Sequence, residues 1–163
     1  MNLIHDSESR HQLKCCARVA GESPDPSTQN GAVIVANCGE IVSGCNSPVL
    51  DVEIGVLSRT EKLKITDHAE CASIHRCAFL GISTNRATMF CLWAPCSPCA
   101  VAIKASGIVR LVTLESLYKL TPDRWKEDLI DGLHTLQHGG VVVDFYEGLL
   151  GERILFNGQE TEI

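Results

Sequence analysis

Two short segments, His68-Ala69-Glu70 and Pro95-Cys96-Ser97-Pro98-Cys99, constrain this chain more than anything else in it. Any fold that carries them has to bring an imidazole, two thiols and a carboxylate into register across some thirty residues of intervening sequence. Neutral imidazole and thiolate are good ligands for tetrahedral zinc, and three protein ligands leave one coordination position open. An open position separates a catalytic zinc from a structural one. Glu70 lies two residues from His68, too close to serve as a fourth ligand and well placed to take a proton from a water held there. A structural zinc would need that fourth ligand, for which Cys71, Cys91 and His75 are nominal candidates. Such sites more often pair two Cys-x-x-Cys knuckles, and this chain has one.

With 163 residues, 45% of them hydrophobic and 21% charged, the chain is sized for a single domain over residues 1–163 that buries a core without staples. The net charge is −6, with no run of Lys or Arg. Affinity for polynucleotides comes largely from neutralising phosphates, so a nucleic-acid substrate is disfavoured. The opening residues lack the basic-then-apolar order of a signal peptide, and no apolar stretch reaches membrane-spanning length. The cysteines number nine, an odd count, and are scattered through apparent helices and strands. Reduced thiols in a cytoplasmic protein are the simpler reading.

Patterning predicts a helix over about Ser9–Ala20, a hairpin of Ala32–Val35 and Glu40–Ser43, and a long irregular, functional loop from Asn46 to Thr66. A helix carrying His68 and Glu70 follows and ends near Gly81. Next come a strand at Thr88–Leu92, a helix at Pro98–Ser106 capped by Ser97, and a strand at Ile108–Leu114. Pro122 is placed first inside a further helix, and Val141–Phe145 forms the last strand. Strands joined through helices of this size are parallel neighbours, which gives an α/β fold with one mixed sheet between helices.

From about His11 to Tyr146 the sequence resembles the cytidine deaminase superfamily, and within it the deoxycytidylate (dCMP) deaminase branch. Beyond the zinc motifs, Asp25-Pro26-Ser27-Thr28-Gln29, Gly31-Ala32-Val33-Ile34-Val35, Arg59-Thr60-Glu61-Lys62 and Trp125-Lys126-Glu127 carry the likeness. The resemblance implies a three-layer α/β/α sandwich with a five-stranded mixed sheet, His68, Cys96 and Cys99 as ligands of Zn2+, and Glu70 as proton shuttle for a zinc-activated hydroxide. It implies Asn46 as a contact to sugar or base, a small nucleotide as substrate, and a homo-oligomer, dimer or hexamer. Asn30 stands where Val is usual, Ala72 where the branch has Asn, Cys45 for Tyr and Ser47 for Gly. Trp93-Ala94-Pro95-Cys96 echoes the polynucleotide deaminases. Asn30 is therefore a candidate contact to the pyrimidine edge or a ring substituent, with backbone pairing as the alternative, and Trp93 a candidate to stack on the base. Arg59, with Lys62 and Lys64, is a candidate for a 5′-phosphate, suited by its forked guanidinium. Deamination of dCMP is expected first, with 5-modified dCMP, free base or nucleoside, tRNA adenosine, and a non-catalytic binding module as alternatives.

Overall fold

The computed structural model describes residues 1–163 apart from Glu53 and the side chain of Arg59. Its strands are β1 (Asn2–Ile4), β2 (Gly31–Val35), β3 (Ile41–Cys45), β4 (Ser47–Pro48), β5 (Thr66–Asp67), β6 (Thr88–Cys91), β7 (Arg110–Leu114), β8 (Val142–Tyr146), β9 (Arg153–Phe156) and β10 (Gln159–Glu162). Its helices are α1 (Ser7–Ala20), α2 (Arg59–Ile65), α3 (Ala69–Leu80), α4 (Ser97–Ala105), α5 (Glu115–Lys119) and α6 (Asp123–His138).

The main sheet runs β1-β8-β7-β6-β2-β3, with β6, β7, β8 and β1 parallel and β2 antiparallel to both of its neighbours. The five strands expected from the sequence are its β3-β2-β6-β7-β8 core. The sixth, β1, is a three-residue segment that pairs with β8 and is too short to carry a readable alternation.

Alternation along the strands builds the two faces of the sandwich. Ala32 and Ile34, Met89 and Cys91, Leu111, and Val143 and Phe145 bury one face against Ile103 of α4 and Leu129, Leu133 and Leu136 of α6. Val33, Phe90 and Leu92, Val112 and Leu114, and Tyr146 bury the other against Leu13, Cys16, Ala17 and Ala20 of α1. The same side takes Ile154, Phe156 and Ile163 from a C-terminal hairpin, β9–β10, that the sequence reading does not contain.

Segment 46–66 is more ordered than an irregular loop. β4 pairs with β5, and α2 begins at a capping box in which Ser58 Oγ accepts from the Glu61 N–H while the Glu61 carboxylate accepts from the Ser58 N–H. Two boundaries also shift. Pro122 is the N-cap of α6 rather than its first residue, and Cys96 rather than Ser97 is the N-cap of α4. Among the described residues, no helix is long and apolar enough to cross a membrane.

Candidate active site

The site forms where α3 and α4 begin side by side on one face of the sheet. His68 is the N-cap of α3 and Cys96 the N-cap of α4, and neither side chain caps its own helix, so both are free to face each other. His68 Nδ1 lies 3.4 Å from Cys96 Sγ and 3.4 Å from Cys99 Sγ. Ligands at zinc's usual N and S bond lengths, on the corners of a tetrahedron, sit about 3.5 Å apart, so the three atoms are spaced to share one ion. Among the described residues this is the one cluster of three or more such groups. The nominal fourth ligands are engaged elsewhere: His75 Nδ1 pairs with Asp67 at 2.7 Å, and Cys91 exchanges hydrogen bonds with the Asn30 amide. Cys71 Sγ lies 3.8 Å from Cys99 Sγ, outside that cluster.

Electrostatics favour the thiolate at Cys96. A hydrogen bond from Cys99 draws Cys96 down to about 5, and hydrogen bonding to Cys96 lifts His68 to about 9. The Cys99 thiol is held upward by the neighbouring Cys71 and Cys96 thiols and by burial. The amino ends of two helices add partial positive charge to the same point. Glu70, in the first turn of α3, is 2% exposed, and its Oε2 has no hydrogen-bond partner. Burial pushes its carboxyl up to about 7, against the pull of His68 in the other direction. An orphaned carboxylate oxygen beside three convergent soft ligands fits a metal with a proton-bearing group between the two, since buried polar atoms otherwise find partners.

α6 fixes this arrangement from outside, which the sequence reading misses. The Asp128 carboxylate accepts from the Ser97 N–H, and the Ser97 hydroxyl donates to the Asp128 carbonyl. Gly132 lies so close to the Pro95–Cys96 peptide that an added Cβ would stand 2.5 Å from the Pro95 carbonyl. The signal for this was a glycine inside an amphipathic helix, which usually marks close packing.

The cluster forms the floor of a cleft of about 130 Å³ lined by His68, Glu70, Asn30, Asn46, Trp93 and Trp125, with Asp25, Ser27, Thr28, Lys62 and Arg124 further along its walls. Asn46 braces that wall: its Oδ1 accepts from the Asn30 N–H at 2.7 Å and its Nδ2 donates to the Thr28 carbonyl at 2.8 Å. The Asn30 Oδ1 accepts from the backbone of Gly31 and Trp93 and its Nδ2 donates to Cys91, which leaves one N–H uncommitted. Trp93 meets Phe156 and Trp125 edge to face, at 5.0 and 6.4 Å between ring centroids, and its indole N–H donates to Thr121. Lys62 is paired with both oxygens of the Asp25 carboxylate. The side chain of Arg59 lies outside the described residues.

Ala72, Cys45 and Ser47 do not gather at the base end of this cleft. They line a separate shallow pocket with Arg76 and Glu22. The reason is packing: Gly44 lets α3 settle directly on β3, where an added Cβ would meet the Ser73 amide nitrogen at 2.6 Å, so position 72 faces the strand.

A three-layer sheet fold bearing a His-Cys-Cys cluster and a buried carboxylate defines a zinc-dependent hydrolytic deaminase. The family model for the cytidine and deoxycytidylate deaminase zinc-binding region matches residues 6–115, and the chain belongs to that family. Its cofactor is zinc. Among solved structures, the dCMP deaminase of cyanophage S-TIM5 in complex with dCMP and dUMP is 20% identical, with 87% of this chain and 99% of that one covered and a TM-score of 0.64. A diaminohydroxyphosphoribosylaminopyrimidine deaminase/5-amino-6-(5-phosphoribosylamino)uracil reductase of Thermotoga maritima is also 20% identical, over 85% of this chain and 36% of that one, at a TM-score of 0.61. The cytidine deaminase of Mycobacterium tuberculosis is 22% identical over 72% of this chain and 97% of that one, at 0.50. No curated protein sequence matches.

Proposed function

We propose that the protein converts a cytosine nucleotide, dCMP, to dUMP and ammonia by hydrolysis. The observation that carries this reading is the unpartnered, fully enclosed Oε2 of Glu70 at the cleft floor beside His68, Cys96 and Cys99. Those three residues would hold zinc, which when bound supplies the Lewis acidity that makes a water proton easy to remove. A carboxyl that burial pushes up from its ordinary range is suited to take and return a proton. Glu70 removes the proton of the attacking water, delivers a proton to the ring nitrogen N3 as C4 becomes tetrahedral, and protonates the amino group as the C4–N bond breaks. One water is consumed and one ammonia leaves. Trp93 and Trp125 wall the base, and Asn46, with one amide N–H uncommitted, stands where it can meet the sugar.

Binding of dCMP and dUMP by the cyanophage enzyme supports a nucleotide substrate. A 5-substituted dCMP gains less support, because the Asn30 amide is largely spent on backbone and Cys91 and position 72 lies outside the cleft. The negative net charge speaks against polynucleotides. A cytoplasmic setting, in keeping with nine free thiols, and assembly as a homo-oligomer belong to the same reading. Ammonia release from the zinc-loaded protein, measured over cytosine, cytidine, deoxycytidine, CMP, dCMP and 5-methyl-dCMP, tests it. Turnover highest on dCMP is expected; turnover confined to base or nucleoside would refute it.

A further inference from the structure

A nucleotide substrate brings a phosphate of about −2 charge into the cleft, and such a group is bound by cations that are not already neutralised. The charged side chains on the cleft walls sort cleanly on that criterion. Lys62 donates to both oxygens of the Asp25 carboxylate, at 3.1 and 2.9 Å, and the pair is largely buried. Its charge is consumed by a fixed anion that also accepts from the backbone of Ser27 and Thr28. Glu70 adds a further acid at the floor. Among the described residues of the cleft walls, above the His68-Cys96-Cys99 floor, Arg124 is the cation without a carboxylate partner.

Arg124 is also held in place. Its Nη2 donates to Oδ1 of Asn157, a neutral acceptor that fixes the guanidinium without cancelling its charge. Asn157 and Gly158 form the tip of the β9–β10 hairpin, with φ of 53° and 79°, the left-handed pairing that Asn-Gly turns adopt readily. That tip is fastened to the cleft wall: the Asn157 N–H donates to Thr28 Oγ1 at 3.1 Å and the Gly158 N–H to the Ser27 carbonyl at 2.7 Å. Arg124 and the hydroxyl of Thr28 are thereby gathered around one residue at one end of the cleft.

We propose that Arg124, positioned by Asn157, binds the 5′-phosphate of the substrate and sets the preference for a nucleotide over a nucleoside. The assignment rests on the nucleotide reading above and makes Arg124 a specificity residue, with Asn157 a positioning residue. It moves the phosphate contact from α2 to the start of α6.

Calorimetric titration of the zinc-loaded protein with dUMP and with deoxyuridine reads this preference without turnover. The wild type is expected to bind dUMP the more tightly, and Arg124→Ala to lose about 10- to 100-fold of that preference, the worth of a charge-assisted contact. Arg124→Lys should keep part of it, because an ammonium supplies the charge but not the fork. Asn157→Ala should lose less than Arg124→Ala. A wild type that binds both ligands equally would sink the nucleotide reading itself. If the wild type prefers dUMP and Arg124→Ala prefers it as strongly, or if Arg59→Ala alone abolishes the preference, the assignment to Arg124 falls and the nucleotide reading stands.

Discussion

The floor and the wall of the cleft are built in opposite ways. The floor consists of His68, Glu70, Cys96 and Cys99, each placed at the N-cap or in the first turn of a helix, α3 or α4. The wall is assembled from distant pieces, the 25–30 segment, α2 and the start of α6, braced by the tip of the β9–β10 hairpin and joined by side chain to backbone bonds such as Asn46 to Thr28 and Asn157 to Thr28. Reaction chemistry needs fixed residue types at fixed local spacing. Substrate choice needs only some group of the right charge and shape at the right place, which many long-range arrangements supply.

If this division is real, perturbing the floor should cost more than perturbing its supports, and remote sites least. Removing zinc with a chelator comes first. An ion held a thousandfold above its dissociation constant stabilises the fold by about 4 kcal/mol, so thermal melting of chelated against zinc-loaded protein should show a large downward shift. A shift of a degree or less would mean that the cluster is not metal-bound at the concentrations used. Second, Gly132→Ala should destabilise by about 1–3 kcal/mol, the usual range for overpacking, because the new Cβ meets the Pro95 carbonyl. Zinc retention measured on the same variant sharpens the comparison: α6 supports the floor only if zinc affinity falls along with stability. The smallest effect belongs to Asp6, the N-cap of α1, far in sequence from either region. Losing this cap should cost about 1 kcal/mol or less. Hydrogen bonding from the Ser9 N–H holds the Asp6 carboxyl below its ordinary value. Its contribution is therefore fully present above the ordinary carboxylate range and fades as pH falls through the lowered folded value. Denaturant unfolding of Asp6→Ala and wild type should converge at low pH. A gap that stays constant down to pH 2 would show that the cap acts by other means.

The same division decides what is legible in the sequence. The helix starts that carry the floor announce themselves, because ligand type, the short spacings and Pro98 all act within one turn. The Ser97 capping assignment is off by one since Cys96 takes the cap position without its side chain bonding its own helix. β1 escapes because three residues gain their strand character only from β8. Two missed elements did carry local signals: the Ser58–Glu61 capping box that starts α2, and the Asn157-Gly158 turn of the last hairpin. What no local pattern contains is which cation is already neutralised. The pairing of Lys62 with Asp25 spans 37 residues, and the tie of Arg124 to Asn157 spans 33.

The most direct test of the account concerns Glu70, the proposed proton shuttle, whose Oε2 is buried and unpartnered. Zinc content and ammonia release from dCMP should be measured together for the wild type and Glu70→Gln, an exchange that preserves size and removes the titratable carboxyl. The account predicts unchanged zinc stoichiometry with turnover lower by about 10²- to 10⁴-fold, the range for loss of a general acid–base. A variant that keeps its zinc and deaminates dCMP at the wild-type rate would contradict it.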